Sequence, residues 1–406
     1  MAYQPYGMDY LKTKLSKKRS RVLERYKYYE MKKELLFASD LIPKKYKWMA
    51  SSLGWSAKAV DSIADRLSVH EFRNDNMLMW DIYKQNNADI LFNSAMLSAL
   101  ISSCSFIYIT PPENGGLPQF QVIDGANATG IIDDVTWMLK EGYAVLQRDN
   151  QKAVTLEAYF ETGRTTFYYK GQKEPVVIEN SAPYPLLVPI INRPDAVRPF
   201  GHSRISRSCM DLQQSAMRTL MRSEISAEFY SVPQKYVLGL DSEAEFNNIA
   251  ATYSNFLRMD KDDDGNKPTV GQFTQSSMTP LVEQMRMFAS IFAGETGLTI
   301  DDLGFASVNP SSADAIKASH ENLRLTAKKS QKTFEVGFKN AGYLACCLRD
   351  DYPYERTEIA DTVVAWEPMF VAGISDISSI GDALIKLQQS YPDYITAEKI
   401  YDITGI

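Results

Sequence analysis

Histidine and cysteine are scarce in this sequence, which has three His and four Cys among its 406 residues. The His residues (His70, His202 and His320) stand far apart in unrelated contexts, and the Cys residues include no C-x-x-C pair. The cysteine spacing therefore predicts neither a disulfide framework nor a cysteine metal site. Thiols in this pattern, two of them adjacent at Cys346 and Cys347, favour a reducing compartment.

Long apolar runs are also lacking. No stretch reaches the roughly 18 uninterrupted apolar residues that a membrane span needs. The nearest, residues 95–109, is interrupted by four serines. The N-terminus has no apolar core of signal-peptide length. We therefore expect a protein that is intracellular when made and has no membrane partner.

Catalytic motifs are absent as well. The sequence contains no G-x-S-x-G, H-E-x-x-H, G-x-x-x-x-G-K-[ST] or G-x-G-x-x-G motif. The adjacent carboxylate pairs Asp133-Asp134 and Asp301-Asp302 point in different directions unless a turn or a metal gathers them. A two-metal nuclease built from distant carboxylates is an alternative. We expect no enzyme activity and no cofactor.

The sequence does have a large apolar fraction, 45% of residues, with 23% charged and a net charge of −6. A chain of this length and composition can bury a large core and divide into two or three structural units. The acidic balance argues against a protein that binds nucleic acid over its whole surface. It leaves room for a local contact with DNA.

The first half of the chain combines helical segments with many short strands, so the expected fold class is α+β. Residues 8–37, rich in Lys, Arg and Tyr, predict one or two surface helices, for which a solvated face is favoured over a contact with DNA or a partner. Helical spacing returns at 48–67 and 89–103. An antiparallel meander is predicted over 104–191 by the runs SFIYIT, QFQVID, YAVLQR, AVTLEAYF, TTFYYK, PVVIEN and LLVPII.

A second helical part follows a proline-rich loop. Ser203 is predicted to open a helix that ends before Pro233, and QKYVLGL predicts a strand. Residues 243–257 predict another helix. Residues 355–368 predict a strand, and residues 374–403 predict two short helices joined around Pro392.

Residues 267–348 are the stretch around which the second half is organised. Thr279-Pro280 predicts a helix start, since a hydroxyl can cap the free amides and Pro fits the first helical position. Gly294 and Gly297 are predicted to end this helix. Its apolar face is predicted to contain Met278, Leu281, Val282, Met285, Phe288, Ala289 and Phe292.

One very long helix is predicted next. Ser311 and Asp314 have capping-box spacing, and no Pro follows before Pro353, which permits a helix of roughly 35 residues, about 50 Å long. Its apolar seam is predicted to contain Ile316, Leu323, Ala327, Phe334, Phe338, Ala341, Ala345 and Leu348.

A basic stripe lies about 100° around this helix from the seam. It contains Lys317, Arg324, Lys328 and Lys339. A solvated flank and a contact with DNA or with a neighbouring subunit are both open for these residues.

A candidate metal loop lies between the two helical parts. Asp260, Asp262 and Asp264, followed by Gly265, match the first half of an EF-hand calcium loop, but Gly271 stands at the twelfth position where a bidentate Glu is needed. We favour an exposed turn, because Asp and Gly are the residues that tight turns select. A metal-dependent enzyme that uses residues 260–264 is the alternative.

Three pieces of the sequence together resemble the portal proteins of tailed bacteriophages, in the SPP1-like family of head-to-tail connectors. They are residues 201–239, from GHSRIS to SAEFYSVPQKYVLG, residues 267–323, from KPTVGQF to SHENL, and the tail segment 366–389, WEPMFVAGISDISSIGDALIKLQQ. Their order and spacing cover residues 185–406, whereas residues 1–184 match only in general character.

The resemblance implies a division into named parts. Residues 1–200 would form a wing of N-terminal helices and meander, 201–231 and 278–297 two stem helices, and 232–277 a small α/β clip. Residues 298–350 would hold the tunnel loop and the long helix, and 351–406 a wing strand and the crown helices. The tunnel loop would consist of Gly304, Phe305, Ala306, Ser307, Val308, Asn309 and Pro310. The partner-binding tip of the clip would consist of Asp260, Asp262, Asp263, Asp264 and Gly265.

The same resemblance implies a structural subunit that closes into a dodecameric ring at one capsid vertex, through which double-stranded DNA enters and leaves. The implied partners are further copies of the chain, the large terminase subunit, a head-tail adaptor, and the major capsid and scaffolding proteins. The implied location is the virion, after assembly in the host cytoplasm. Another ring-forming virion protein, such as an adaptor, is the alternative, although adaptors are usually much shorter chains.

Overall fold

The computed structural model describes residues 3–36, 42, 44–111, 116–231, 235–238, 269–272, 277–305, 318–369, 374–390 and 400. Helices and small antiparallel sheets share this part of the chain, which confirms the α+β class. The α-helices are α1 (Met8–Tyr29), α2 (Trp55–Ala64), α3 (Met79–Gln85), α4 (Ala88–Ser102), α5 (Arg207–Ser231), α6 (Thr279–Thr296), α7 (Glu321–Arg349) and α8 (Ile374–Ser390). Short 3₁₀ helices lie at Lys44–Met49, Asp301–Leu303 and Arg356–Ile359.

The strands form small sheets, all of them antiparallel. They are β1 (Val69–Arg73), β2 (Cys104–Thr110), β3 (Gln119–Ile123), β4 (Ala128–Ile132), β5 (Leu139–Arg148), β6 (Val154–Glu161), β7 (Arg164–Tyr169), β8 (Val176–Glu179), β9 (Leu187–Ile191), β10 (Lys235–Leu238), β11 (Thr269–Gln272) and β12 (Val363–Trp366).

The predicted meander is confirmed for β5 to β8, which pair in chain order within a five-stranded sheet that β4 completes at one edge. The prediction was wrong for the outer runs, since β2, β3 and β9 form a separate sheet of order β3-β2-β9. All five residues of β9 are buried, so both faces of this strand are covered; it pairs with β2 at one edge and packs against α7, α4 and β5.

Two strands were missed because their residues carry weak local signals. Strand β4 contains Gly130, where a Cβ would lie 2.6 Å from the backbone oxygen of Glu141. The strands pack so closely here that a larger residue would clash. Strand β1 pairs with β12, a partner that is distant in the sequence. Pairing at such a distance leaves no local pattern.

The main core lies where α3, α4 and α7 meet the three-stranded sheet. The Phe92 and Phe338 rings meet edge to face with centroids 4.6 Å apart. The Tyr83 hydroxyl, buried beside them, donates to the backbone oxygen of Phe338 at 2.6 Å. The predicted seam of α7 is confirmed for every described member, since each is buried: Leu323, Ala327, Phe334, Phe338, Ala341, Ala345 and Leu348. Ile316 lies outside the described residues.

Helix α1 confirms a helix in residues 8–37 and packs on the five-stranded sheet. Leu11 and Leu15 form a small cluster with Tyr143, Val145 and Tyr159. Ahead of α1, the chain is tied to the same sheet by the buried Glu141 carboxylate. That carboxylate accepts hydrogen bonds from the Tyr3 hydroxyl (2.7 Å), the Tyr159 hydroxyl (2.7 Å), and the backbone N–H groups of Tyr6 (3.0 Å) and Gly7 (3.1 Å).

Helix α5 begins at Arg207, so the predicted start at Ser203 was wrong. The cap is Ser206, whose Oγ accepts from the N–H of Cys209 at 3.1 Å. Ser203 instead donates from Oγ to the Ile101 oxygen at 2.6 Å and accepts from the Ile205 N–H at 3.0 Å. A serine that satisfies local backbone groups in this way competes with helix formation.

Helix α6 begins at Thr279, as predicted, and ends at Gly297, which has a positive φ of 70°. Ser277 Oγ accepts from the Thr279 N–H at 3.1 Å in the turn before the helix, and the N-cap residue, Met278, has no side-chain cap. Gly294 lies inside the helix, so the prediction that it ends the helix was wrong. The last turn continues past it because Thr296 Oγ1 donates to the Phe292 oxygen at 2.7 Å.

Helix α7 contains 29 residues and begins at Glu321, which makes it shorter than the roughly 35 residues predicted. His320, with φ −91° and ψ 1°, departs from helical geometry and interrupts the expected single helix. The capping box predicted at Ser311 and Asp314 lies outside the described residues, as does the predicted junction at Pro392.

All four cysteines are buried free thiols. Among the described residues, no helix is both long and apolar enough to cross a membrane.

Candidate functional site

The antiparallel pair of α5 and α6 is the first part of the candidate site. Near the distal end of the pair, Thr219 Oγ1 donates to Gln284 Oε1 at 3.1 Å. At the proximal end, Arg204 reaches the backbone oxygen of Thr296, the last residue of α6. One polar contact thus joins the two helices directly, and a second joins the segment before α5 to the end of α6. Between these contacts they bury Ala216 and Met217 of α5 and Ala289, Phe292 and Ala293 of α6.

Arg204 joins this helix pair to the rest of the molecule. Its Nε donates to the Ala59 oxygen of α2 at 3.1 Å, and its Nη2 donates to the Thr296 oxygen. A cation at the carboxyl end of α6 also lies at the negative end of the helix dipole. Burial lowers the pKa of Arg204 to about 10, which still leaves the guanidinium charged at neutral pH.

Two buried glutamines on α5 hold the chain segments before and around α2. Gln213 accepts from the Ser56 N–H at 3.0 Å and donates to the Leu53 oxygen at 2.5 Å. Gln214 accepts from the Leu36 N–H at 2.9 Å and donates to the Glu34 oxygen at 3.3 Å. Helix α5 is therefore fixed at its first two turns and projects from there.

The outer side of α6 remains uncovered by the described part of the chain. Met287 is 49% exposed and Ile291 is 46% exposed. These residues are four apart, so they share one side of the helix, roughly opposite the buried residues Ala289 and Phe292. An apolar pair of this kind is suited to contact another protein surface.

Helix α7 also presents an outer stripe, which we define as Leu325, Lys328, Lys332, Val336 and Lys339. Leu325 is 43% exposed and Val336 is 40% exposed, so the stripe contains both apolar and basic residues. The stripe lies on the side of α7 away from the buried seam.

A groove of about 570 Å³ runs beside this stripe, between α7 and the 3₁₀ helix Arg356–Ile359. A second cavity of about 190 Å³ lies on the other side of Asn340, against Trp137 and Pro194. Asn340 is 2% exposed, and its Oδ1 has no hydrogen-bond partner in the described residues. The groove is lined by cations, the Glu335 carboxylate and the apolar Val336, a mixture that fits a protein contact.

The predicted basic stripe does not converge on one point. Arg324 is bound by the Glu321 carboxylate on its own helix, at 2.6 and 2.7 Å. Lys328 is exposed, and Lys339 lines the groove with Arg356. Lys317 lies outside the described residues. The described members are thus spread along the helix in different surroundings.

The predicted tunnel loop is described only at its start. Gly304 has a positive φ of 88° and closes the 3₁₀ turn. The Phe305 ring is half-buried against the main core. Residues Ala306, Ser307, Val308, Asn309 and Pro310 lie outside the described residues.

A capping box that the sequence analysis missed fixes the approach to this loop. The Asp302 carboxylate accepts from the Thr299 N–H at 2.9 Å, and Thr299 Oγ1 accepts from the Asp302 N–H at 3.2 Å. The T-x-x-D spacing is the local signal that could have revealed it. The Asp302 carboxylate is therefore engaged in a turn.

The candidate metal loop and clip tip, Asp260, Asp262, Asp263, Asp264 and Gly265, lie outside the described residues. In the part of the chain that the structure does describe, no group of three or more His, Cys, Asp or Glu side chains is placed to hold a metal ion.

Comparison with known proteins gives a family match and two relatives that agree with it. The family model described as "Phage portal protein, SPP1 Gp6-like" matches residues 8–404. The portal protein of Mycobacterium phage L5 is 23% identical over 333 residues, covering 76% of this chain and 67% of the relative. The portal protein of Mycobacterium phage D29 is 23% identical over 341 residues, covering 78% of this chain and 69% of the relative.

Two solved structures show a more distant likeness. A chain in the virion of a native gene transfer agent (GTA) particle aligns with a TM-score of 0.48 and 12% identity, covering 90% of this chain and 94% of that chain. A chain in the neck of the native GTA particle, computed with C12 symmetry, aligns with a TM-score of 0.48 and 12% identity, covering 86% and 89%.

Proposed function

We propose that this chain, which belongs to the SPP1 Gp6-like family of phage portal proteins, assembles into a closed dodecameric ring that conducts double-stranded DNA at one vertex of a capsid. The α5/α6 pair and the outer stripe of α7 would supply the contacts between neighbouring subunits. The expected location is the virion, after assembly in the host cytoplasm.

The observation that carries this proposal is the uncovered apolar surface on the two helical elements. Met287 and Ile291 on α6, and Leu325 and Val336 on α7, are each at least 40% exposed although all are large and apolar. Different patches on one subunit can pair with each other in a head-to-tail contact, and such contacts close into a ring when the rotation permits. A neighbouring copy would therefore cover what the single chain leaves open.

The charge of the chain suits a conduit. A net charge of −6 on each copy gives a ring that repels phosphates. A few local cations would lower the barrier to passage, whereas many tight basic contacts would arrest sliding. The chain would serve as a structural part, and the ATP hydrolysis that drives packaging would belong to the terminase.

The division into parts follows the family. Residues 1–200 would form the wing, 201–231 and 278–297 the stem, 232–277 the clip, 298–350 the tunnel loop and long helix, and 351–406 the last wing strand and the crown. The clip tip, Asp260 to Gly265, would bind the large terminase subunit and later a head-tail adaptor. Capsid and scaffolding proteins would surround the wing.

Ring formation can be tested on the purified full chain. Mass photometry should give a species near twelve times the 45.8 kDa subunit, and negative-stain images should show a central channel. A stable monomer or dimer at micromolar concentration in several salts would contradict the proposal.

The channel loop can be tested separately by deletion of Ser307 to Asn309. A loop that contributes few buried contacts should be dispensable for assembly, so rings should form with nearly unchanged melting. Packaging or retention of DNA in assembled heads should fall. Rings that package and retain DNA normally, or a failure to form rings, would remove this loop from the channel.

A further inference from the structure

A row of cations lies along one flank of α1, in a chain that is acidic overall. Lys14, Lys18, Arg21 and Arg25 are spaced by four, three and four residues, which places them on one side of the helix. Arg198, on the loop before α5, lies close enough to Arg25 for the two charges to repel each other. We call these five residues the α1 cation row.

None of the row's hydrogen bonds that the structure records goes to a carboxylate. Lys14 Nζ donates to the Gly130 oxygen at 2.8 Å, and Arg25 Nη1 donates to the Ser102 oxygen at 3.1 Å. Lys18 Nζ lies 3.8 Å from Cys104 Sγ, and Arg198 Nη1 lies 3.4 Å from Nδ1 of His202. These neighbours orient the cations without neutralising them.

The nearest carboxylates are engaged elsewhere. Glu141 accepts four hydrogen bonds, among them those from the Tyr3 and Tyr159 hydroxyls. Asp195 is bound to His202 at 2.5 Å. Other cations of the chain do have acidic partners: Lys12 is 2.5 Å from Glu157, Lys84 is 2.7 Å from Asp81, and Lys170 is 3.2 Å from Asp149.

Two of the cations pack against the same aromatic ring. The ammonium groups of Lys14 and Lys18 lie 5.1 and 5.3 Å from the centroid of the same ring, Phe200. Burial, and next the charge of Lys18, lower the pKa of Lys14. Burial, and next the charge of Arg21, lower the pKa of Arg25. Like charges are therefore packed side by side, and an external anion would relieve their repulsion.

We propose that the α1 cation row binds the phosphate backbone of double-stranded DNA, a contact that rests on the proposed function for the presence of DNA beside the ring. From Lys14 to Arg25 the row extends about 16 Å along the helix. A duplex places one phosphate per 3.4 Å along each strand, so a row of this length spans about five phosphates. The line of cations along α1 therefore matches the line of phosphate charges along one DNA strand.

The arrangement favours DNA over an acidic protein segment. Arg21 and Arg198 are exposed on the surface. The row reaches backbone phosphates without any group placed to read base edges, so the contact would be independent of sequence. Such binding would be weak at high salt, which is compatible with DNA that must move.

The test is the salt dependence of binding between the full-length protein and a fluorescent duplex of about 20 base pairs, measured by anisotropy. The variant Arg21→Gln with Arg198→Gln removes two exposed cations and should leave the melting temperature unchanged. The slope of log K against log salt should lose about two units of magnitude, and Kd at 0.1 M salt should rise roughly 30- to 100-fold.

The matched control is Lys84→Gln with Lys170→Gln, which removes the same charge from two lysines that have carboxylate partners. Its slope should equal that of the unmodified protein. If the slope falls equally in both variants, net charge explains the effect and the proposal is overturned. An unchanged slope in the Arg21→Gln, Arg198→Gln variant would also overturn it. Polyglutamate that competes as well as unlabelled duplex would assign the row to an acidic protein instead.

The outcome is separable from the ring proposal. Mass photometry on the same samples reports assembly, and the slope reports the α1 contact. Rings with an unchanged slope would overturn this inference alone, whereas a monomer with the expected slope change would overturn the ring and keep the DNA contact.

Discussion

The sheet-containing core and the α5/α6 pair differ in how much of their apolar surface the chain itself covers. In the core, Phe92, Phe106 and Phe338 are no more than 2% exposed. On α6, Met287 and Ile291 remain about half exposed. The chain itself covers the apolar surface of the core, whereas it leaves one side of α6 exposed.

Helix α7 belongs to both regions at once. Its inner seam, including Phe334 and Phe338, is fully buried in the core. Its outer stripe presents Leu325 and Val336 to solvent. A single helix thus has one side buried in the core and the opposite side exposed to solvent.

The largest effect is expected from Phe338→Ala in the core. Loss of this ring opens a cavity against Phe92 and should reduce the free energy of unfolding by about 3–5 kcal/mol. Urea denaturation followed by tryptophan fluorescence measures the change. Phe338→Leu, which removes less volume, should cost clearly less. A loss below about 1 kcal/mol for the Ala variant would show that the core does not depend on this contact.

Arg204→Met tests the junction between the two regions. The substitution leaves the oxygens of Ala59 and Thr296 without their donor, so we expect a loss of about 2–3 kcal/mol in the free energy of unfolding. Arg207→Met, at an exposed position on the same stretch, should change it by less than about 0.5 kcal/mol. Equal effects of the two substitutions would show that Arg204 does not hold the helix pair to α2.

Glu141→Gln tests the attachment of the N-terminal segment and depends on pH. Burial alone would raise the pKa of Glu141, but hydrogen bonds from Tyr3, Tyr159, Tyr6 and Gly7 outweigh burial and lower the pKa. At pH 7 the substitution should cost about 1–2 kcal/mol of unfolding free energy.

The sign of the pH effect follows from that lowered pKa. The folded-state pKa lies below the unfolded value, near 4.3. The stabilisation is therefore fully present above the unfolded value and is lost as the pH falls through the folded pKa. The gap between the two proteins should shrink over that window in urea titrations. A gap that stays constant down to pH 3 would contradict the role of the charged carboxylate.

The smallest effect on the stability of the single chain is expected from Met287→Ser with Ile291→Ser. These side chains touch little within the chain. The free energy of unfolding of dissociated subunits should therefore change by no more than about 0.5 kcal/mol. Ring assembly should be strongly impaired, as measured by mass photometry. Val197→Ser, at a residue 87% exposed on a loop, is the control and should assemble normally. Normal rings from the double variant would place the subunit contact elsewhere.

Local patterns in the sequence were sufficient for the elements with strong periodicity. The seam of α7, the strands β5 to β8 and the start of α6 at Thr279-Pro280 were predicted correctly, because each depends on residues within one or two turns or one strand. The starts of α5 and α7 were wrong by several residues, since Ser206 and His320 decide those boundaries through hydrogen bonds and backbone angles.

The candidate site required more than local pattern. Nothing in the sequence around Arg204 distinguishes it from the other arginines near α5, and its two carbonyl partners come from α2 and α6. The α1 cation row was visible as basic residues, but only the fold brings Arg198 and the Phe200 ring to it.

The sequence by itself determined the fold class, the family resemblance and the buried face of the long helix, because hydrophobic periodicity and capping residues act over a few residues. Only the tertiary structure decided which charged groups have partners and which apolar residues stay uncovered. Both properties depend on neighbours that are distant in the chain. Burial and charge pairing are therefore set by packing, and no local pattern contains them.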